Sequence, residues 1–280
     1  MTTSSSPSPA ADPEVPDAAA SCSSDPHGSD PHDHTGHDHP PTGAEIVSAL
    51  VRGLSIVSLV IPAIAVLLVL VCLPATPSTP LPLVLGIALG ALQLVVVVIT
   101  SMFVSKVQRR LAFNPGPMAV RSTVEEVLRL AAVLFAGLLW PSEAVGPTGI
   151  WLGLGAALVW IVLATAQTVS ARRRIAKPSA WATEAVGTFL TEKVSVRRSM
   201  VLRVLDVVGT ALFQIGATVL IVLSPVLTIG TIVLSIATGL STLILQRRSP
   251  AERTRTLWAY APFGIGVLTA ALALLGLSTL

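Results

Sequence analysis

Beyond residue 44 the chain alternates between long apolar runs and short connections that collect its charge. Seven runs stand out, at 51–73, 82–104, 123–140, 149–169, 203–223, 226–246 and 257–278. Each is near the ~20 residues that an α-helix needs to cross ~30 Å of hydrocarbon, so the pattern predicts an all-α integral membrane protein with about seven transmembrane helices. The third run is the shortest and opens amphipathically. Only Ser224-Pro225 separates the fifth run from the sixth, and one helix through both would far exceed a bilayer, so a helical hairpin is expected there.

The placement of basic residues agrees with this spacing. Connections 105–122, 170–202 and 247–256 carry four, seven and four Lys/Arg, whereas 74–81, 141–148, 224–225 and the C-terminus carry none. The other three bases, Arg52, Arg129 and Arg203, fall at the starts of the first, third and fifth runs, the ends that the same alternation places inside. Basic loops stay in the cytoplasm. The N-terminus is therefore expected inside and the C-terminus outside, with external connections too short to form a domain.

Residues 1–44 differ in kind. They are rich in Ser, Pro, Ala and Asp and hold seven of the fifteen acids but none of the eighteen bases, so a tail of −7 precedes a membrane domain of +10. With so little to bury, this tail is expected to be disordered. The remainder, 45–280, forms one membrane domain. Across all 280 residues, hydrophobic residues make up 52% and charged ones 12%, against about 25% charged in soluble chains. The basic surplus lies beside apolar runs rather than among aromatics on one face, which argues against nucleic acid and for anionic lipid headgroups at the cytoplasmic face. Arg outnumbers Lys fifteen to three, a bias that points to a GC-rich bacterial gene and an inner membrane.

The tail contains every histidine of the chain, His27, His32, His34, His37 and His39, interspersed with aspartates. Neutral imidazoles at this spacing make a weak, flexible Zn or Ni site. Metal transport would also need ligands at depth, and the predicted helices offer only Asp206, Cys72 and Met102. No cofactor is expected in the membrane domain.

Asp206 follows Arg203 by three residues, which predicts an interfacial ion pair on one helix face. Gln93, Thr100, Thr165 and Gln214, with Arg203 and Asp206, form the candidate polar cluster: hydrogen bonds between helices, or the lining of a weakly polar cavity. Asn114-Pro115-Gly116-Pro117 predicts a turn, followed by a capping box through Ser122/Glu125 or Thr123/Glu126 that would start the third helix. Within 170–202, Trp181, Ala185, Val186, Phe189 and Leu190 share an arc that predicts an amphipathic helix on the inner leaflet.

Residues 45–280 contain no His, which excludes Ser-His-Asp and Cys-His catalysis there, and no P-loop or Gly-rich nucleotide fingerprint precedes a helix. The sequence therefore reads as a non-enzymatic inner-membrane component or accessory subunit acting through association with lipid or other membrane proteins. The second reading is a permease for a small or apolar solute, with a metal-sensing tail. The topology predicts that single cysteines at position 30 and within 170–202 are labelled only after the membrane is made permeable; labelling of position 30 from outside would reverse it.

Overall fold

The computed structural model describes residues 42–107, 115–141, 144–177 and 179–279; the histidine-rich tail lies outside these residues. The regular secondary structure among the described residues is all helical, with no strand. The helices are α1 (Gly43–Cys72), α2 (Leu81–Val107), α3 (Pro115–Leu139), α4 (Val145–Ile175), α5 (Ala180–Thr191), α6 (Val196–Leu223), α7 (Thr228–Gln246), α8 (Pro250–Arg255) and α9 (Ala261–Ser278).

Six helical stretches are long and apolar enough to cross a membrane: Gly43–Ala75, Leu81–Met102, Val145–Ile175, Val196–Leu223, Pro225–Gln246 and Leu257–Ser278. The expected third span, 123–140, is not among them. Its helix, α3, starts at Pro115 and takes in Arg121, Glu125, Glu126 and Arg129. The cause is local. Proline lacks the N–H that the first turn of a helix leaves unused, so Pro115-Gly116-Pro117 opens α3 instead of forming a turn before it. Ser122 and Thr123 consequently sit inside the helix, and neither expected capping box forms. A capping box does form at α1, where Thr42 and Glu45 bond reciprocally to each other's backbone N–H.

The bundle is organised around α4, which packs on α2, α6 and α1, while α6 packs in turn on α9. Small residues bring these backbones into contact. A Cβ on Gly86 of α2 would lie 2.1 Å from the Leu152 carbonyl oxygen, and one on Gly153 of α4 would lie 2.6 Å from Ile215 Cα on α6. Gly266 of α9 meets the Gly209 carbonyl of α6 in the same way, at 2.1 Å. In lipid no hydrophobic drive presses apolar helices together, so dispersion between closely approached backbones does more of the work. Val57 and Ile61 of α1, Ala157 and Ile161 of α4, and Val207 and Ala211 of α6 fill the adjoining core.

The amphipathic helix expected within 170–202 is present as α5; part of its apolar arc packs on the bundle, and Leu190 is exposed. Val186 is buried with Ile46, Leu50 and Leu54 of α1 and Ile175 of α4, and Phe189 packs on the same cluster. The side chains of Trp181 and Ala185 lie outside the described residues.

Glycines at backbone crossings and glycines facing open space should respond in opposite ways to alanine. Gly153→Ala must push α4 from α6 and should cost about 1–3 kcal/mol, whereas Gly230→Ala, with nothing within 4 Å, should stabilise α7 by roughly 0.5–1 kcal/mol. Melting of the two variants in detergent checks the contrast.

Candidate functional site

α3 is amphipathic with its polar side turned inward. Ser122, Glu126, Arg129, Val133 and Ala136, spaced at four and three residues, form its buried stripe. Val120, Val127, Leu134, Phe135 and Leu138 are exposed on the other side. Arg129 lies about 21 Å along a helix of about 37 Å, at 1.5 Å per residue, so it is central in α3 and not at an end as the apolar runs suggest.

Arg129 is 1% exposed, as is Glu126. Nη1 of Arg129 donates to both carboxylate oxygens of Glu126, one helical turn earlier. Nη2 donates to Oε1 of Gln214 on α6 at 2.5 Å, and the guanidinium stands 5.4 Å from the centroid of the Phe213 ring. Carboxylate, amide and aromatic face thus surround one cation; its Nε has no hydrogen-bond partner among the described residues. One turn closer to the start of α3, Arg121 Nε donates to Glu125 at 2.6 Å. Gln93 of α2, fully buried, donates to the Glu125 carbonyl and accepts from Trp160 Nε1 of α4, each at 3.5 Å. The polar stripe of α3 is therefore tied to α2 by Gln93 and to α6 by Gln214.

Beside this stripe lies a cavity of about 340 Å³, walled by α3, α4, α6 and α7 and by Pro262 at the start of α9. Arg121, Ser122, Glu125, Asp206, Thr210 and Gln214 supply polar lining, with Trp160 and Phe213 as aromatic walls. Ser235, Thr238 and Thr242 close the α7 side. The lining runs from the ends nearest the basic connections to the middle of the bundle, from Met118 to Glu125 on α3 and from Asp206 to Gln214, just past the midpoint, on α6. The opposite half of the bundle is packed: Gly149 abuts Val219, Gly216 abuts Ala270, and Val219, Leu220 and Ala273 form a tight cluster.

The six polar residues singled out from the sequence separate into two groups. Gln214 and Asp206 line the cavity, and Gln93 bonds to two of its wall residues. Thr100 bonds back to Val96 and Val97 of its own helix, and Thr165 bonds to Ile161 and faces a different groove beside α1. Arg203 donates to Thr168 Oγ1 at 3.0 Å, linking α6 to α4. The expected Arg203–Asp206 ion pair does not form: among the described residues the ion pairs are Arg121–Glu125 and Arg129–Glu126. Arg203 turns to α4 and leaves the Asp206 carboxylate to the cavity.

Glu125, Glu126 and Arg129 are site residues that the sequence pattern places at a helix start, and Arg121 one that it places in the connection before it. The 122/126/129/133/136 stripe was the available signal, obscured by taking the turn prolines as a boundary. Among the described residues no group of three or more His, Cys, Asp and Glu could hold a metal ion, and Cys72 is free and buried. The five tail histidines lie outside those residues. Comparison with known protein families, curated proteins and solved structures finds no match for this chain.

Removing one member of the buried pair leaves the other charged and unpaired. Arg129→Met and Glu126→Met should each destabilise by about 3–5 kcal/mol, and the double variant should recover much of that loss. Unfolding of the three variants in detergent would measure the coupling; additive losses would show that the two side chains do not act as a pair.

Proposed function

We propose that the protein is a multi-pass permease of a bacterial inner membrane, taking a small polar solute into the cavity from the cytoplasmic side. The observation that carries this reading is a largely apolar cavity that nevertheless exposes Arg121, Glu125, Asp206 and Gln214, walled by five helices in a bundle with six helices long and apolar enough to span a bilayer. Ionisable groups are costly at membrane depth and commonly mark solute or ion pathways. In this reading α3 is a seventh span. Its charges face the bundle and its Val, Leu and Phe side chains face outward, the reverse of a helix at a water surface. The N-terminus is then cytoplasmic and the C-terminus external, as the basic connections require.

The cavity's own chemistry favours a cationic solute with hydrogen-bonding groups. Arg121, Glu125 and Asp206 line it with one positive and two negative groups, while Arg129 and Glu126 neutralise each other behind the wall. Asp206 makes no direct ion pair or hydrogen bond among the described residues, with the charge of Arg203 acting on it only from a distance, and is the natural counter-ion. Trp160 and Phe213 offer aromatic surface to an amine's apolar part. The cavity ends where Gly153 and Gly216 bring α4, α6 and α9 into contact, so transport requires those contacts to part on the external side. A role confined to association with lipid or other membrane proteins gives this cavity no task.

Full-length protein in mild detergent, heated with small amines, polyols or carboxylates, tests the reading. Amines should raise the melting temperature of the wild type, with a smaller shift in Asp206→Asn and none in Ser235→Trp, which fills the cavity. Equal shifts in wild type and Ser235→Trp for every compound would remove the cavity from the function.

A further inference from the structure

On the outer side of α6 a second concavity runs between α1 and α6, separate from the polar cavity. Its volume is about 490 Å³, and apart from Arg52 and Arg197 its lining is apolar, including Ile56, Val60, Val201 and Leu205. The two helices run parallel, since Gly53 meets Val196 and Met200 while Ile61 shares a core with Val207 and Ala211. Both arginines therefore sit at the same end of the groove, the end nearest the basic connections. Each is exposed, and neither has a hydrogen-bond or ion-pair partner among the described residues. From Ala49 to Val60 the groove extends about 16 Å along α1 at 1.5 Å per residue. That is close to half of a ~30 Å hydrocarbon core, the depth of one leaflet. Ile56, 56% exposed, and Val201, 49% exposed, leave its long side open to the bilayer.

We propose that this groove is a binding site for one anionic phospholipid of the inner leaflet, with an acyl chain between α1 and α6 and the phosphate between Arg52 and Arg197. Charge complementarity selects the headgroup, because two unpaired guanidiniums at the mouth of an apolar slot match a phosphodiester held at the interface. The depth selects a chain of one leaflet. A zwitterionic lipid fits the same slot but brings its own cation to the two arginines. The bound lipid lies against the side of α6 roughly opposite Asp206, so it braces the helix that forms the cavity wall.

The test uses the full chain stripped of lipid in mild detergent and titrated with phosphatidylglycerol or phosphatidylcholine of identical chains, with bound lipid counted by native mass spectrometry. The first phosphatidylglycerol should bind roughly tenfold or more tightly than phosphatidylcholine. Arg52→Gln with Arg197→Gln should remove that preference, while Arg255→Gln, an equal type of charge loss elsewhere on the basic face, should keep it. Val60→Trp with Leu205→Trp, which obstructs the slot without touching the arginines, should weaken both lipids. Equal binding of the two lipids by the wild type, a loss with Arg255→Gln as large as with the double variant, or undiminished binding by the tryptophan variant would each overturn the proposal.

Discussion

An arginine that keeps its charge inside an apolar bundle has to be covered on every side, and the arrangement around Arg129 meets that demand. The contact of Nη1 with both carboxylate oxygens of Glu126 supplies the opposite charge, Gln214 supplies an acceptor from another helix, and Phe213 stands against the guanidinium. None of these alone would offset the desolvation of the cation. Glu126 comes from the same helix and is present as soon as α3 folds, but Gln214 and Phe213 arrive only when α6 docks. The pair thus makes the packing of α3 on α6 specific, because a misplaced α6 would leave a buried cation without its acceptor.

That docking depends on close backbone approach elsewhere. Gly153 lets α4 touch α6 at Ile215, the residue beside Gln214, and Gly86 lets α2 touch α4, which brings Gln93 to the Trp160 indole. A spine of small residues through α2, α4, α6 and α9 fixes the positions of the amide side chains that hold α3. The same spine divides the bundle into two halves. From the middle of the bundle toward the basic connections, α3, α4, α6 and α7 leave a cavity between them, while α6 and α9 stay in contact at Gly209 and Gly266; the other end is sealed by Gly149, Val219, Gly216 and Ala273.

Much of the helix pattern was legible in the sequence, because an apolar run of about twenty residues has few other solutions. The hairpin at Ser224-Pro225, the helix within 170–202 and the inward placement of Gln93 and Gln214 follow from patterning. The misread element was α3. Pro115 and Pro117 look like a turn when taken with Asn114, yet a proline also suits the first turn of a helix, and that choice decides whether Arg129 is terminal or central. The Arg203–Asp206 spacing likewise permits an ion pair but does not compel one. Thr168 on α4 offers Arg203 a different partner, and a residue on another helix cannot be read from an i,i+3 interval.

By itself, then, the sequence determined where the apolar helices lie, with α3 the exception, and which connections bear positive charge, since these are properties of consecutive residues. Only the tertiary structure decided which charges meet and what they enclose. Glu126, Arg129 and Gln214 become one site because glycine contacts set the distance between helices, and Asp206 lines a cavity because its expected partner is drawn to α4. Contacts across 35 or 85 residues arise from how whole helices pack, a balance that no local pattern encodes.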